Sequence, residues 1–319
     1  MKLFHETNIK FYSKKSQPKI CIISDIHFSY QITNKKLESL REKLKERKPD
    51  YIFIPGDLID SNDMIEDESE EKRLLNWLES LGKIATVLIS EGNHDTYKLA
   101  SKEHKEKTGD QWEVVKNTKF ISHVNKLKNV NYLDNEIYED KKIYVLGLTL
   151  STHYYCLFAS DKKKKSSPTG ENVEQLLKEL DELDQKKITD LPKNKLTFAL
   201  IHSPCHLSDF RVKAELKEFD YLISGHMHNG LVTPVLDELW RSDRGIVNAS
   251  KHLIAINTRL SRRTLSEGLI IAGAVTTWHE SAGIFHNLNV FYPSYFMTLE
   301  FTKNTQYEKP YISRKYLNY

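Results

Sequence analysis

Cysteine, net charge and long apolar runs are all scarce in this chain. Three cysteines, Cys21, Cys156 and Cys205, are odd in number and share no paired spacing. They read as reduced core or near-site residues, which points to a cytoplasmic protein. Lys and Arg number 47 against 44 Asp and Glu, a net charge of +3 over 319 residues. So small an excess gives no ground for a nucleic-acid or anionic-membrane partner. Residues 1–18 contain no apolar core of a secretory signal, and the most apolar window, Gly268 to Val275, is far short of the roughly 20 residues a membrane span needs. Neither an internal repeat nor a low-complexity boundary interrupts the chain, so a single domain over residues 1–319 is expected.

What is present is a series of short apolar runs, each followed by polar side chains able to bind metal. Ile20 to Ile23 leads to Asp25 and His27, and Tyr51 to Ile54 leads to Gly56-Asp57. Ala85 to Ile89 leads to Gly92-Asn93-His94-Asp95, Leu196 to Ile201 leads to His202, and Tyr221 to Ser224 leads to Gly225-His226-Met227-His228. The runs have strand length. In an open α/β sheet, ligands gather beyond the carboxyl ends of the strands, so five such endings can converge on one point although far apart in sequence.

The intervening segments supply the helices of such a fold. Thr33 or Asn34 can cap a helix carrying Leu37, Leu40 and Leu44 on one face, ended by Lys48-Pro49. The acidic cluster Glu66 to Glu71 suits the N-terminus of a second helix with Leu74, Leu75, Leu78 and Leu81 as its buried stripe. Residues 1–18 read as a short lead-in or edge strand, and 96–128 as a helical segment around Trp112, Val115, Phe120, Val124 and Leu127. Short strands are expected at 130–133, 136–138 and 143–150, a solvated loop at 162–170, and a helix on Val173, Leu176, Leu177, Leu180 and Leu183. The last two strands fall at 268–277 and 295–301. Strands alternating with helices over short connections describe a parallel sheet covered by helices.

Asp25, His27, Asp57, Asn93, His202, His226 and His228 together form a set of carboxylate oxygens, imidazole nitrogens and one amide oxygen without thiolate. Such a set suits Mn, Fe or Zn better than a Ca²⁺ or Mg²⁺ cage. Seven ligands exceed what one transition metal can take while also holding substrate, and match two metals sharing a bridging carboxylate. Gly56, Gly92 and Gly225 stand directly before ligands, where the backbone must turn sharply or approach the metals closely.

In this order the blocks Asp25-Ile26-His27, Gly56-Asp57-Leu58-Ile59-Asp60, Gly92-Asn93-His94-Asp95, His202 and Gly225-His226-Met227-His228 resemble the motif set of the calcineurin-like metallophosphoesterases of bacterial phosphoesterase type, over about 19–301. The resemblance implies a four-layered α/β/β/α sandwich with a dinuclear metal site at the strand C-terminal ends. It assigns one divalent transition-metal ion to Asp25, His27, Asp57 and His228 and a second to Asp57, Asn93, His202 and His226, with Asp57 as the bridge. Two such ions, about 3.5–4 Å apart, supply hydroxide from a bridging water and bind phosphoryl oxygens for in-line attack.

His94 is then the group that assists the leaving oxygen, Asp95 the residue that orients its ring, and Asp60 a supporting carboxylate. Asn93 and His94 would also touch substrate, joined by His153 and Asn229 as weaker candidates. Asn229-Gly230-Leu231 departs from the second glycine and glutamine often found at this point in bacterial relatives, which leaves the substrate class open. The expected activity is hydrolysis of a small-molecule phosphomonoester, phosphodiester or pyrophosphate. The alternative is a peripheral membrane pyrophosphatase or phosphodiesterase on a lipid-linked or cell-envelope intermediate. A nuclease lacks the charge to track DNA, and a non-catalytic scaffold would not need every ligand intact.

Overall fold

The computed structural model describes residues 3–109, 112–149, 177–183, 185–204, 210–226, 228, 246–247, 255–256, 268–276 and 294–318. The chain begins with strands β1 (Leu3–Tyr12) and β2 (Lys19–Ile22), followed by helix α1 (Asn34–Arg47) and strand β3 (Tyr51–Pro55). Helices α2 (Asp63–Glu66) and α3 (Glu68–Gly82) lead to β4 (Thr86–Ser90). A small excursion follows, comprising β5 (Tyr97–Leu99), α4 (Lys102–Thr108), β6 (Trp112–Val114) and α5 (Thr118–Asn125). Strands β7 (Val130–Tyr132), β8 (Ile137–Glu139), β9 (Ile143–Leu148), β10 (Leu196–Ile201) and β11 (Tyr221–Ser224) come next. The two-residue pair β12 (Ile246–Val247) and β13 (Ala255–Ile256) precedes β14 (Leu269–Ile271), β15 (Ser294–Thr302) and β16 (Tyr311–Asn318).

Two large sheets result. One has the order β16-β1-β15-β2-β3-β4-β7 and the other β14-β11-β10-β9-β8. Strands β2, β3, β4 and β7 run parallel, as do β9, β10, β11 and β14, so each sheet delivers its motif loops at one end. The inner faces meet in a core of Ile20, Ile22, Phe53 and Leu88 against Val145, Phe198, Leu200 and Ile223. On the outer face of the first sheet, Leu37, Leu40 and Leu44 of α1, Leu74, Trp77, Leu78 and Leu81 of α3, and Phe120 and Val124 of α5 pack on Cys21, Ile52 and Ile89. On the outer face of the second, Leu180, Ile188, Leu216 and Phe219 cover Tyr144, Leu146, Ala199 and Leu222. Three apolar layers between four layers of secondary structure make the α/β/β/α sandwich. The strands between two apolar layers show no polar alternation, as expected for buried parallel sheets.

The helices begin and end on local chemistry. The Thr33 side chain accepts the Lys36 N–H at 3.2 Å to open α1, and Lys48 closes it at φ 48°, its N–H bonded to the Lys45 carbonyl. Asp67 accepts the Ser69 N–H at 2.9 Å at the start of α3, and the three glutamates of its first turn face the positive end of the helix dipole. Each large apolar side chain that α3 buries contributes about 1.5–3 kcal/mol. Trp77 belongs to that buried stripe where Leu75 was expected; Leu75 is half-buried at its margin.

Three expectations need correction. The N-terminal segment is neither a lead-in nor an edge: β1 lies inside the large sheet, parallel to β15 and antiparallel to β16. Its partner β16 lies beyond the motifs, where Tyr311 to Asn318 shows too weak an apolar alternation to stand out as a strand. Residues 96–128 are not one helical segment, because Tyr97–Leu99 and Trp112–Val114 pair as an antiparallel hairpin around α4. The scattered apolar positions there belong to two different periods, 2 in the hairpin and 3.6 in α5. The 162–170 loop and the start of the helix on Val173 lie outside the described residues, of which 177–182 are helical.

A buried ion pair ties the first sheet to α1. The Arg47 guanidinium donates to both oxygens of Glu6 at 2.7 and 2.8 Å, and the Thr298 hydroxyl donates to Glu6 at 3.0 Å, joining β1, β15 and the end of α1. A fully desolvated carboxylate is tolerable only when so paired. Arg47→Met is expected to lose about 3 kcal/mol in urea unfolding by stranding the buried Glu6 carboxylate, and the double variant Glu6→Ala/Arg47→Met to recover most of that loss. A single variant as stable as wild type would show that the pair contributes nothing.

Candidate metal centre

The five motif strands stop short of their ligands, and the ligands sit on the turns that follow. Eight described non-glycine residues have positive φ, and five of them are Asp25 (50°), His27 (47°), Asp57 (52°), His226 (65°) and His228 (49°). Left-handed backbone is unfavourable for such residues and persists only where surrounding contacts enforce it. Here the turns enforce one another. Ile26 and His27 donate their N–H groups to the Asp57 carbonyl at 2.8 and 3.1 Å, Gly225 donates to the His202 carbonyl at 2.9 Å, and Thr276 donates to the Asp25 carbonyl at 3.0 Å. The segment containing Ala272 and Thr276 thereby crosses from the second sheet to the first at the site.

Close approach explains two of the glycines. A Cβ on Gly92 would lie 2.3 Å from Asp57 Oδ1, and one on Gly225 would lie 1.9 Å from Ser24 Oγ and 2.8 Å from Asp25 Oδ2. Any side chain at either position would push a site carboxylate aside.

The side chains converge. One ligand atom from each of Asp25, His27, Asp57 and His228 lies within 4.8 Å of the others, and the same holds for Asp57, His202 and His226. Asp57 is common to both groups. Its Oδ2 is 3.1 Å from His202 Nε2 and 3.6 Å from His27 Nε2, while Oδ1 accepts the His94 backbone N–H at 2.9 Å. His228 Nε2 is 3.5 Å from Asp25 Oδ1 and 3.3 Å from His27 Nε2. Asn93 Oδ1 is buried and makes no hydrogen bond, and the buried Asp57 Oδ2 meets imidazole nitrogens instead of a neutral donor. A buried amide oxygen without a partner is costly unless something else is meant to occupy it, and a cation is the complement of both oxygens.

The electrostatics fit the same reading. Burial alone would raise the Asp57 carboxyl, but His202, His94 and His27 outweigh it and hold the group well below the usual carboxylate range. Burial would lower His202, yet Asp57 and Asp25 push it up to about 9. Burial and the neighbouring His202 charge bring His226 down to about 3. Because His202 Nδ1 donates to the Pro55 carbonyl at 2.6 Å, a neutral His202 ring would aim a lone pair from Nε2 at Asp57 Oδ2. Two acceptors facing each other need a positive charge between them. In the protein alone a proton serves; the same two atoms would serve a metal ion.

Around these ligands lies a second set of contacts. Asp60 Oδ1 is 3.3 Å from His27 Nδ1, which turns His27 Nε2 towards the cluster. His94 Nδ1 donates to the Asp60 carbonyl at 2.8 Å, leaving the far side of its ring, Nε2, outside that bond. Asp95 does not take the place expected for it beside the His94 ring. Its oxygens accept the N–H groups of Ile59 at 3.0 Å and Gly92 at 2.8 Å, so it braces the two metal-facing loops against each other. Burial and Asp57 raise Asp95 to about 7. Sequence reading missed the Pro55 carbonyl, a backbone group without any side-chain signal. It also missed Glu91, a buried carboxyl raised to about 8 by burial and by Asp95 and Asp134. His153, Asn229, Cys156, Cys205, His206, Trp278, His279 and His286 lie outside the described residues.

No curated protein matches the chain. A dimetal phosphatase from Danio rerio is similar in structure over 82% of this chain and 89% of that one, at 11% identity and a TM-score of 0.41. A second solved structure aligns over 66% of this chain and 84% of its own, at 14% identity and a TM-score of 0.37. Residues 18–230, which carry all five motif strands and their ligands, match the family model of the calcineurin-like phosphoesterases. That match spans the whole site from the residue before β2 to just past His228, and by it the chain belongs to the calcineurin-like phosphoesterases, metal-dependent hydrolases of phosphoric ester bonds.

Proposed function

We propose that this protein hydrolyses a small-molecule phosphomonoester, phosphodiester or pyrophosphate. In this reading one divalent transition-metal ion is held by Asp25, His27, Asp57 and His228 and a second by Asp57, Asn93, His202 and His226. The observation that carries it is the convergence of Asp25, His27, Asp57 and His228, and of Asp57, His202 and His226, each set with ligand atoms within 4.8 Å of one another, together with a buried Asn93 Oδ1 that makes no hydrogen bond. Bound there, two cations would acidify water and neutralise charge on phosphoryl oxygens. Imidazole with carboxylate and amide oxygen favours Mn, Fe or Zn.

The protein's own groups do the rest. The Asp60 carboxylate, 3.3 Å from His27 Nδ1, favours a proton on that nitrogen, and the hydrogen bond to the Pro55 carbonyl fixes the tautomer of His202. His94, held through Nδ1–H by the Asp60 carbonyl, donates to the leaving oxygen from Nε2 when the ring carries a proton on both nitrogens. Asp95 keeps the Gly92 and Ile59 turns in register, so its role is positioning. The 319 residues act as one domain in this account, because β1 and β16 belong to the same sheet as the motif strands. No described helix is long and apolar enough to cross a membrane.

The purified protein is expected to bind about two equivalents of Mn²⁺, Fe²⁺ or Zn²⁺ and to hydrolyse an aryl phosphate ester only when loaded. Elemental analysis with turnover assays across these metals tests this; a loaded protein with no turnover on mono-, di- or pyrophosphate esters would overturn it. Asp57→Asn should lose both metal and activity with its fold intact by circular dichroism. His94→Ala should keep the metals and lose about 10²–10⁴ in kcat on esters of poor leaving groups, with a smaller loss on good ones. Equal losses across the leaving-group series would remove His94 from proton donation.

Metal loading should also depend on pH with a definite sign. His202 rests protonated below about 9 in the metal-free protein, and coordination through Nε2 must displace that proton. Apparent affinity therefore rises with pH until about 9 and then levels, and loading near neutral pH releases a proton into weak buffer. Titration calorimetry in buffers of different ionisation enthalpy measures this release, and proton-independent binding would contradict the assignment of His202.

A further inference from the structure

The hairpin of β5 and β6 has two chemically different faces. Its register sets Tyr97 opposite Val114, Lys98 opposite Glu113 and Leu99 opposite Trp112. Opposed residues, and residues two apart on a strand, share a face. Tyr97, Leu99, Trp112 and Val114 therefore form one face, and Lys98 and Glu113 the other. The charged face is engaged by protein: Lys98 pairs with Glu66, and Glu113 lies 3.6 Å from His104. The apolar face is half open, with Leu99 53% and Val114 60% exposed.

This face continues from the metal centre. Ring centroids step from His228 to His27 at 5.0 Å, from His27 to His94 at 4.5 Å, from His94 to Tyr97 at 5.6 Å, and from Tyr97 to Trp112 at 6.3 Å, the last pair stacked at 29°. The hairpin is also fixed relative to the ligand loops. Asn62, two residues after Asp60, donates its backbone N–H to the Tyr97 carbonyl at 2.7 Å and its side-chain amide to the Asp95 carbonyl at 2.9 Å. Asp63 accepts the Leu99 N–H at 2.9 Å.

We infer that Tyr97, Leu99 and Trp112 form a binding shelf for a flat aromatic ring carried by the leaving group of the substrate, an inference that rests on His94 standing at the leaving oxygen. A leaving group extending away from the metals past His94 would meet, among the described residues, the rings of Tyr97 and Trp112 and then Leu99. This face offers no charge to a phosphate, carboxylate or amine. Aromatic rings pair favourably at centroid distances of about 4.5–7 Å, and stacking of a base or aryl ring on Tyr or Trp is tolerant of its substituents. An aryl ester and a nucleotide would both present the required ring.

The test uses the full-length, metal-loaded protein and two matched pairs of probes: benzylphosphonate against ethylphosphonate, and adenosine 5′-phosphate against ribose 5-phosphate. Binding of each pair is measured by calorimetry, or for hydrolysed probes as KM in turnover assays. The ring-bearing member of at least one pair should bind about tenfold more tightly, the scale of one stacked ring. Trp112→Ala should bring that ratio to within about twofold without changing the affinity of the ringless probe, and Trp112→Phe should restore it. Tyr97→Phe should keep the preference, since stacking needs no hydroxyl, and Lys98→Ala on the opposite face should change nothing. A preference in the nucleotide pair alone assigns the shelf to a nucleobase; a preference in both pairs assigns it to any aryl ring. Equal affinities within both pairs, or a preference that survives Trp112→Ala, overturns the shelf. Because phosphonate binding needs no turnover, that result is distinct from failure of the phosphoesterase reading, which would appear as absence of hydrolysis of every ester.

Discussion

The constraint on which this structure depends is a charge problem at Asp57. The carboxylate is buried, kept ionised, and has one oxygen that meets only imidazole nitrogens, His202 Nε2 at 3.1 Å and His27 Nε2 at 3.6 Å. A lone ion in that position would be prohibitively expensive, and proteins ordinarily protonate such a group. Three histidines prevent this by standing close on different sides, one of them contributed by the second sheet. Without a metal, a proton on His202, raised to about 9 by Asp57 and Asp25, supplies positive charge beside the carboxylate. The arrangement is therefore a site built for positive charge, with the amount and kind of charge left to what binds.

The two-sheet architecture follows from that need. A single parallel sheet could place Asp25, His27, Asp57 and Asn93 at neighbouring strand ends, but it could surround Asp57 with imidazoles from one side only. The second sheet runs β10 and β11 towards the same end, so His202, His226 and His228 approach from across the core. The apolar layer between the sheets does more than stabilise the fold. Its thickness sets the spacing between the ligand groups, and its closure beneath the site keeps water from screening the ion pairs. The crossing segment at Ala272–Thr276 joins the sheets at the level of Asp25, where any change in their separation would alter the ligand distances.

Much of this was legible in the residues because the strong signals coincided. Each apolar run of strand length ended in a ligand, and only a parallel arrangement brings such endings together. The buried stripes of α1 and α3 were plain for the same reason, periodicity together with caps. What escaped was decided by contacts that leave no mark on composition. Nothing in Tyr311–Asn318 announces a strand, since among its described apolar side chains only Ile312 and Leu317 pack against the core and they fall on opposite faces, and β1 reads as polar although His5, Glu6 and Thr7 are all buried. Asp95 was given to the His94 ring because the two are adjacent in sequence. In space its oxygens meet two backbone N–H groups, and a sequence cannot show where a loop turns its amides.

The distribution of backbone strain separates the site from the scaffold. Asp25, His27, Asp57, His226 and His228 all occupy left-handed conformations, each unfavourable by about 1–3 kcal/mol. Elsewhere among the described residues positive φ falls on helix ends and turn asparagines, where it is cheap. Strain at the three turns that carry these five residues has a geometric purpose. A side chain at the end of an extended strand points along the sheet normal, into one apolar layer or the other, whereas a left-handed residue swings its Cβ past the strand end towards the axis between the sheets. Both sheets use that swing, Asp25, His27 and Asp57 on one side and His226 and His228 on the other. The loop hydrogen bonds and the glycines that permit close approach hold it in place, and the ligand atoms at the centre are what the strain was arranged to present.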